Sequence, residues 1–222
     1  MLNAWFFMAA GLTVVHWSSI FFGWKRYQSF TKLAVMAALL AWFTQVGGWN
    51  GPLLWFGLGL VFGFAGDLLL ELPQRFFLAG LVAFLGGHVS YIIGFLMTGF
   101  YLGETGLIFG LPFLAVCIWI FRQLLRGIRR KPENAGYTLP VVAYGIVLSG
   151  MVFCAGLTLA DPQWPIASAF CCALGGILFL LSDSILALKK FVRPVLHGDL
   201  IVMVTYYLAQ FLIAMGVLLR LA

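Results

Sequence analysis

Eight continuously apolar runs, each near the ~20 residues an α-helix needs to cross a bilayer, leave this 222-residue chain few folds to choose from. They lie at about 4–23, 33–49, 52–70, 76–99, 105–122, 138–159, 165–188 and 199–220. Lipid offers no hydrogen-bond partners, so a span must satisfy its own backbone, which only helices and closed barrels do. Barrel strands alternate polar and apolar residues, and these runs do not. Charged residues make up 9% of the chain, against about 25% in a soluble domain. The expectation is an all-α integral membrane protein, one membrane domain over 1–222 with eight transmembrane helices. No cleavable leader is expected, because no basic residue precedes the first run and Lys25 and Arg26 follow it.

The net charge of +6 would point to an acidic partner in a soluble protein. Here it tracks the loops. Lys25, Arg26 and Lys32 fall in the first connection and Arg75 in the third. Arg122, Arg126, Arg129, Arg130 and Lys131 fall in the fifth, and Lys189, Lys190 and Arg193 in the seventh. Twelve of the thirteen basic residues thus share one side, with Arg220 on the other. The positive-inside rule predicts a multi-pass protein of the cell (inner) membrane, with odd-numbered loops cytoplasmic and both termini opposite. No basic surface domain is present for nucleic acid, so the bilayer and its lipids are the expected partners. Lys189, Lys190 and Arg193 are placed to hold a lipid phosphate. The four cysteines lie in apolar runs without metal or disulfide spacing and read as packing residues.

The fifth connection divides the chain into candidate parallel four-helix repeats, 1–122 and 137–222, with 123–136 as linker. A shift of 116 residues places Asp67 on Asp183, Leu70 on Leu186, Leu72 on Leu188 and Tyr91 on Tyr207. The repeat axis would run along the membrane normal, and the two aspartates would face each other across a central cleft.

Those aspartates carry the functional argument. Each interrupts an apolar run, in FGFAGDLLLEL and LFLLSDSILAL. A carboxylate at a helix centre costs roughly 2.5–3.5 kcal/mol on insertion scales and marks a functional site by default. At ~1.5 Å per residue both lie in the cytoplasmic half of their helices. Glu71, one turn beyond Asp67, is expected to pair with Arg75. His88 and Tyr91 share a face in GGHVSY, and Tyr206 shares one with Gln210 in TYYLAQ, with Tyr207 close by. These polar groups sit too deep for an interfacial belt and suit a polar cavity. His16 reads as a structural histidine and Asp199 as a helix-start cap or dipole partner. Gly59, Gly63, Gly66, Gly86, Gly87, Gly175 and Gly176 would let helices close around the carboxylates.

Two carboxylates, a histidine, tyrosines and a glutamine in a low-dielectric cleft suit acid–base chemistry, because nearby carboxylates split into one acid and one base. No Gly-x-Ser-x-Gly elbow and no HExxH motif is present. No cofactor or metal is expected. A small proton-coupled transporter, or a membrane lipid hydrolase with a metal on Asp67, His88 and Asp183, stays open as an alternative.

Taken together, GDLLL, GGHVSY, SDSILALKKF and TYYLAQFLI resemble the YhhN-like membrane proteins, which include the lysoplasmalogenases. The resemblance covers nearly the whole chain. It implies a hydrolase that cleaves the vinyl-ether bond of a lysophospholipid, a lysoplasmalogen, to a fatty aldehyde and glycerophosphoethanolamine or glycerophosphocholine. It also implies that the functional aspartates are those of the GD and SD motifs, Asp67 and Asp183. His88, Tyr91, Tyr206, Tyr207 and Gln210 would then orient substrate or water, and Lys189 and Lys190 the head group.

Overall fold

The computed structural model describes residues 1–99, 101–130 and 136–222. The described residues form eight α-helices: α1 (Ala4–Phe21), α2 (Lys25–Gly47), α3 (Pro52–Glu71), α4 (Phe77–Met97), α5 (Glu104–Arg129), α6 (Thr138–Leu157), α7 (Ile166–Ala187) and α8 (Gly198–Leu221). No strand occurs among the described residues. Among the described residues seven of these helices, α1–α4 and α6–α8, are long and apolar enough to cross a membrane. The protein is a multi-pass membrane protein.

Helix starts and stops follow local chemistry. The Asn3 side chain accepts the backbone N–H of Phe6 at 3.1 Å and caps α1. Gly51 takes a left-handed φ of 53° before Pro52 opens α3. After α7 the backbone continues as one π-helical turn, Leu188–Val192, before Pro194 prevents further helix.

Two boundaries differ from the sequence expectation. The first connection is only 22–24, because α2 begins at Lys25, so Lys32 lies inside a helix and not in a loop. Helix α5 continues to Arg129, so 123–129 of the expected linker is helical. Charged residues at a membrane surface keep helical backbone hydrogen bonds; hydropathy ends a run where apolarity ends, not where the helix does. Lys131 and the rest of the linker to position 135 lie outside the described residues.

Seven helices form a closed ring in which α1, α2, α3, α4, α6, α7 and α8 pack in turn and α8 returns to α1. Helix α8 also touches α2 and α3. Helix α5 stands outside, against α6 and the turn after α7. The α3–α4 and α7–α8 pairs are the most intimate, and glycines permit it. A Cβ on Gly175 would sit 3.0 Å from the Ala209 carbonyl oxygen, so α7 and α8 are in near backbone contact. The Tyr91 ring lies directly on Gly59 where α3 meets α4. In lipid, such close packing and interhelical hydrogen bonds stand in for the hydrophobic effect as the attractive force between helices. The ring buries polar side chains such as Asp67, His88 and Gln210 among core residues such as Leu39, Phe56, Phe179 and Ile213, and leaves other Leu, Ile, Val and Phe side chains exposed on its outside.

Candidate functional site

A cavity of about 450 Å³ opens among α1–α4 and α6–α8 at the end of the bundle that carries the odd-numbered connections. Asp67 and Asp183 both line it. The α3 and α7 helices therefore bring to one space the two carboxylates that lie 116 residues apart in the chain.

Asp67 is closed off. Its side chain is 2% exposed, and both of its oxygens are occupied. Oδ1 lies 3.3 Å from the Lys32 ammonium on α2, and Oδ2 accepts the Tyr206 hydroxyl on α8 at 2.9 Å. Tyr206 accepts in turn from Gln210 Nε2 at 3.4 Å. The Gln210 Oε1 accepts the Tyr91 hydroxyl at 2.5 Å. Lys32 also reaches Glu71 at 3.1 Å, and Ser29 donates to the same carboxylate. Two carboxylates share one ammonium. Burying charge in this way is tolerable only when the partners and their hydrogen bonds are complete, and here they are.

Asp183 is the more open of the two, with its side chain 13% exposed. The Tyr144 hydroxyl on α6 donates to its Oδ2 at 2.5 Å. His88 Nε2 on α4 lies 2.9 Å from the Tyr144 oxygen and 3.4 Å from the same Oδ2. A phenol has one hydrogen, and Tyr144 spends it on Asp183. His88 must then carry its hydrogen on Nε2 and give it to Tyr144. The His88 Nδ1 is left without a partner among the described residues. Asp183 Oδ1 has no protein donor among the described residues, unlike either oxygen of Asp67.

The remaining expected site residues divide by position. Tyr206 and Lys190 line the cavity. His88, Tyr91, Tyr207 and Gln210 are buried behind the wall; His88, Tyr91 and Gln210 reach it through Tyr144 and Tyr206. The Tyr207 hydroxyl has no partner among the described residues, and its ring packs on His16 and Tyr206. Lys189 lies outside the cavity lining and pairs with Asp199 in the first turn of α8. Asp199 therefore does not cap α8; His197, in the left-handed region, occupies that position. Glu71 pairs with Lys32, not Arg75, whose guanidinium lies over the Phe76 ring at 5.0 Å. His16 is buried with Nδ1 against Thr31 at 2.8 Å, a structural contact, although its ring adjoins the cavity. Among the described residues no three His, Cys, Asp or Glu side chains converge to hold a metal ion, so Asp67, His88 and Asp183 do not form the metal site weighed as an alternative.

Lys32 and Tyr144 are site residues that sequence reasoning missed. By hydropathy Lys32 falls among the loop charges. One signal for it was available: Lys32 follows Lys25 by seven residues, two helical turns, so a helix beginning at Lys25 carries it inward on the same side. Tyr144 had no neighbouring polar residue to single it out.

The YhhN family model matches residues 27–217. Human lysoplasmalogenase TMEM86B is 31% identical over 164 residues, covering 72% of this chain and 61% of that protein. Human lysoplasmalogenase TMEM86A is 32% identical over 159 residues, 71% of this chain and 62% of that protein. A lysoplasmalogenase homolog of Dictyostelium discoideum is 28% identical over 196 residues, 74% and 63% respectively. The match thus spans about six tenths of the length of these relatives. No solved structure gives a significant match.

Proposed function

Since the chain belongs to the YhhN family, we propose that it is a membrane hydrolase that cleaves the vinyl-ether bond of lysoplasmalogens. The observation that carries the reading is the unequal pair in one cavity: Asp67 with both oxygens occupied, Asp183 with one oxygen free. Vinyl-ether hydrolysis calls for a proton donor, and a lasting negative charge nearby stabilises the cation that protonation creates.

Asp183 is the proton donor. In its acid form Oδ1 carries the proton, while Tyr144 holds Oδ2. The proton goes to the β-carbon of the vinyl ether, and the ether oxygen shares the positive charge left on the α-carbon. Glu71 offsets the charge of Lys32, so the negative charge that stabilises the oxocarbenium ion is that of the Asp67 carboxylate. Water then adds to the α-carbon and Asp183 recovers a proton. The hemiacetal passes its hydroxyl proton by way of Asp183 to the glyceryl oxygen as the carbon–oxygen bond breaks. One vinyl ether and one water become one aldehyde and one alcohol. Acid–base assistance of this kind contributes about 10²–10⁴-fold.

The cavity wall suits an amphiphile. Lys25 and Lys190 lie toward its basic end, where they bind the phosphate, and Leu81, Phe84, Val141 and Leu186 offer apolar surface to the alkenyl chain. The basic residues of the odd-numbered connections support a cytoplasmic location of this end in the cell membrane, with both termini opposite.

The internal duplication gains support from the same contacts. Asp67 on α3 is held from α2 and α8, and Asp183 on α7 from α6 and α4. Matching the halves pairs α2 with α6 and α4 with α8, so the two aspartates are held by corresponding helices.

The test is aldehyde release from a lysoplasmalogen by purified protein in detergent. Release by the wild type and its loss in Asp183→Asn support the proposal. A wild type that releases none, or an Asp183→Asn variant with full activity, overturns it.

A further inference from the structure

The helices around the two aspartates correspond, but the side chains they supply do not. The offset of 116 residues that places Asp67 on Asp183 places Lys32 on Leu148 and Glu71 on Ala187. The first half therefore has a cation and a second carboxylate where the second half has two apolar residues. Those two extra charges are bonded to each other, Lys32 to Glu71 at 3.1 Å, and the cation is bonded to the aspartate at 3.3 Å. Lys32 is 6% exposed.

We propose that Lys32 is the positioning residue that makes the two aspartates unequal: it holds Asp67 as a permanent carboxylate, while Asp183, with no lysine or arginine bonded to it and one oxygen without a protein donor among the described residues, is left free to cycle its proton. This deepens the hydrolase reading and rests on it for the catalytic consequence, though the charge on Asp67 does not depend on that reading. The geometry carries the claim. A carboxyl group needs one oxygen for a proton, and both Asp67 oxygens already accept hydrogens, one from an ammonium and one from Tyr206. Removing the ammonium frees Oδ1 at a buried position, where the cheapest response is to bind a proton. Glu71 acts one step further back. With the Ser29 hydroxyl, it fixes Lys32 in place and offsets the charge that Lys32 brings in. Lys32 and Glu71 therefore form a unit, which explains why the second half lacks both.

Two measurements test this. Infrared spectroscopy reads the carbonyl stretch of protonated carboxyl groups directly, and the chain has only seven Asp and Glu side chains to assign. At neutral pH, Lys32→Met gains a protonated-carboxyl band that the wild type lacks, and the band is gone in Lys32→Met/Asp67→Asn. A wild-type band that disappears in Asp67→Asn, or a Lys32→Met protein with no added band, overturns the proposal, whatever the protein's activity. Should Lys32→Met fail to accumulate, Lys32→Met/Glu71→Gln keeps the net charge of the cluster and is expected to show the same band. In turnover, Lys32→Met lowers kcat at least about 100-fold with little change in KM, as expected for lost transition-state charge stabilisation. Lys32→Arg, which keeps the ammonium-like charge, recovers most of kcat. Equal losses in Lys32→Met and Lys32→Arg would assign Lys32 to packing alone. A wild type without lysoplasmalogen turnover would sink the hydrolase reading and leave the infrared result to decide the role of Lys32.

Discussion

The Tyr144 hydroxyl sits 2.5 Å from the Asp183 carboxylate at the wall of the cavity. Tyr144 lies on α6 and Asp183 on α7, and His88 on α4 completes the line behind them. Tyr144→Phe keeps the ring and its packing on His88 but removes the hydrogen. The expected result is a fall in kcat of about 10- to 100-fold with KM little changed, measured by aldehyde release, because a hydrogen bond to a charged group contributes about 1.5–3 kcal/mol. An unchanged kcat would remove Tyr144 from the mechanism.

The two aspartates should differ in stability as well as in activity. Asp67→Asn leaves Lys32 without its full complement of charge in a closed site, where breaking a buried ion pair costs about 3–5 kcal/mol. Glu71 remains and lowers that cost. Asp183→Asn removes no cation partner and can still accept from Tyr144. Thermal denaturation in detergent should therefore show a clear loss of Tm for Asp67→Asn and a small one for Asp183→Asn, although both variants lose activity.

Lys190 and Lys189 are neighbours in sequence but not in role. Lys190 lines the cavity with its ammonium 4.7 Å from the Phe77 ring centre, whereas Lys189 does not line it and is bonded to Asp199 at its edge. Lys190→Ala should raise KM about two- to fivefold, the size of a solvent-screened charge contact, and leave kcat unchanged. Lys189→Ala should leave both constants alone. Michaelis curves for the two variants separate these outcomes.

Helix contact is as testable as chemistry. A methyl group at Gly175 would press on the Ala209 carbonyl oxygen and the Ile213 backbone nitrogen at 3.0 Å each. Backbone cannot swing aside as a side chain can. Gly175→Ala should cost about 1–3 kcal/mol and lower Tm, whereas Gly156→Ala, which meets nothing within 4 Å, should be neutral.

The aspartates were legible in the sequence because a carboxylate in an apolar run has no inexpensive explanation. Tyr91, Tyr206 and Gln210 were legible as polar residues too deep for the interface, but not as a chain: Tyr91 and Gln210 stand 119 residues apart, and only the fold brings the Tyr91 hydroxyl to the Gln210 Oε1. Lys32 was hidden by the rule that revealed the topology. Basic residues flanking a hydrophobic run are normally loop charges, and hydropathy cannot distinguish one that the helix carries inside. Glu71 followed the same logic. Arg75 was the local partner at helical spacing, and a residue from another helix took its place.

What the sequence determined by itself is whatever the bilayer enforces residue by residue: helices where lipid forbids unpaired backbone, basic loops in alternate connections, and two carboxylates that need a polar environment inside apolar helices. Only the tertiary structure decided which groups meet them. Partners for a buried charge come from whichever helices surround it, and that neighbourhood depends on how seven helices close into a ring with α5 left outside. For this reason Asp67 acquired an ammonium and Asp183 a phenol, and two aspartates that look alike in the sequence are suited to different work.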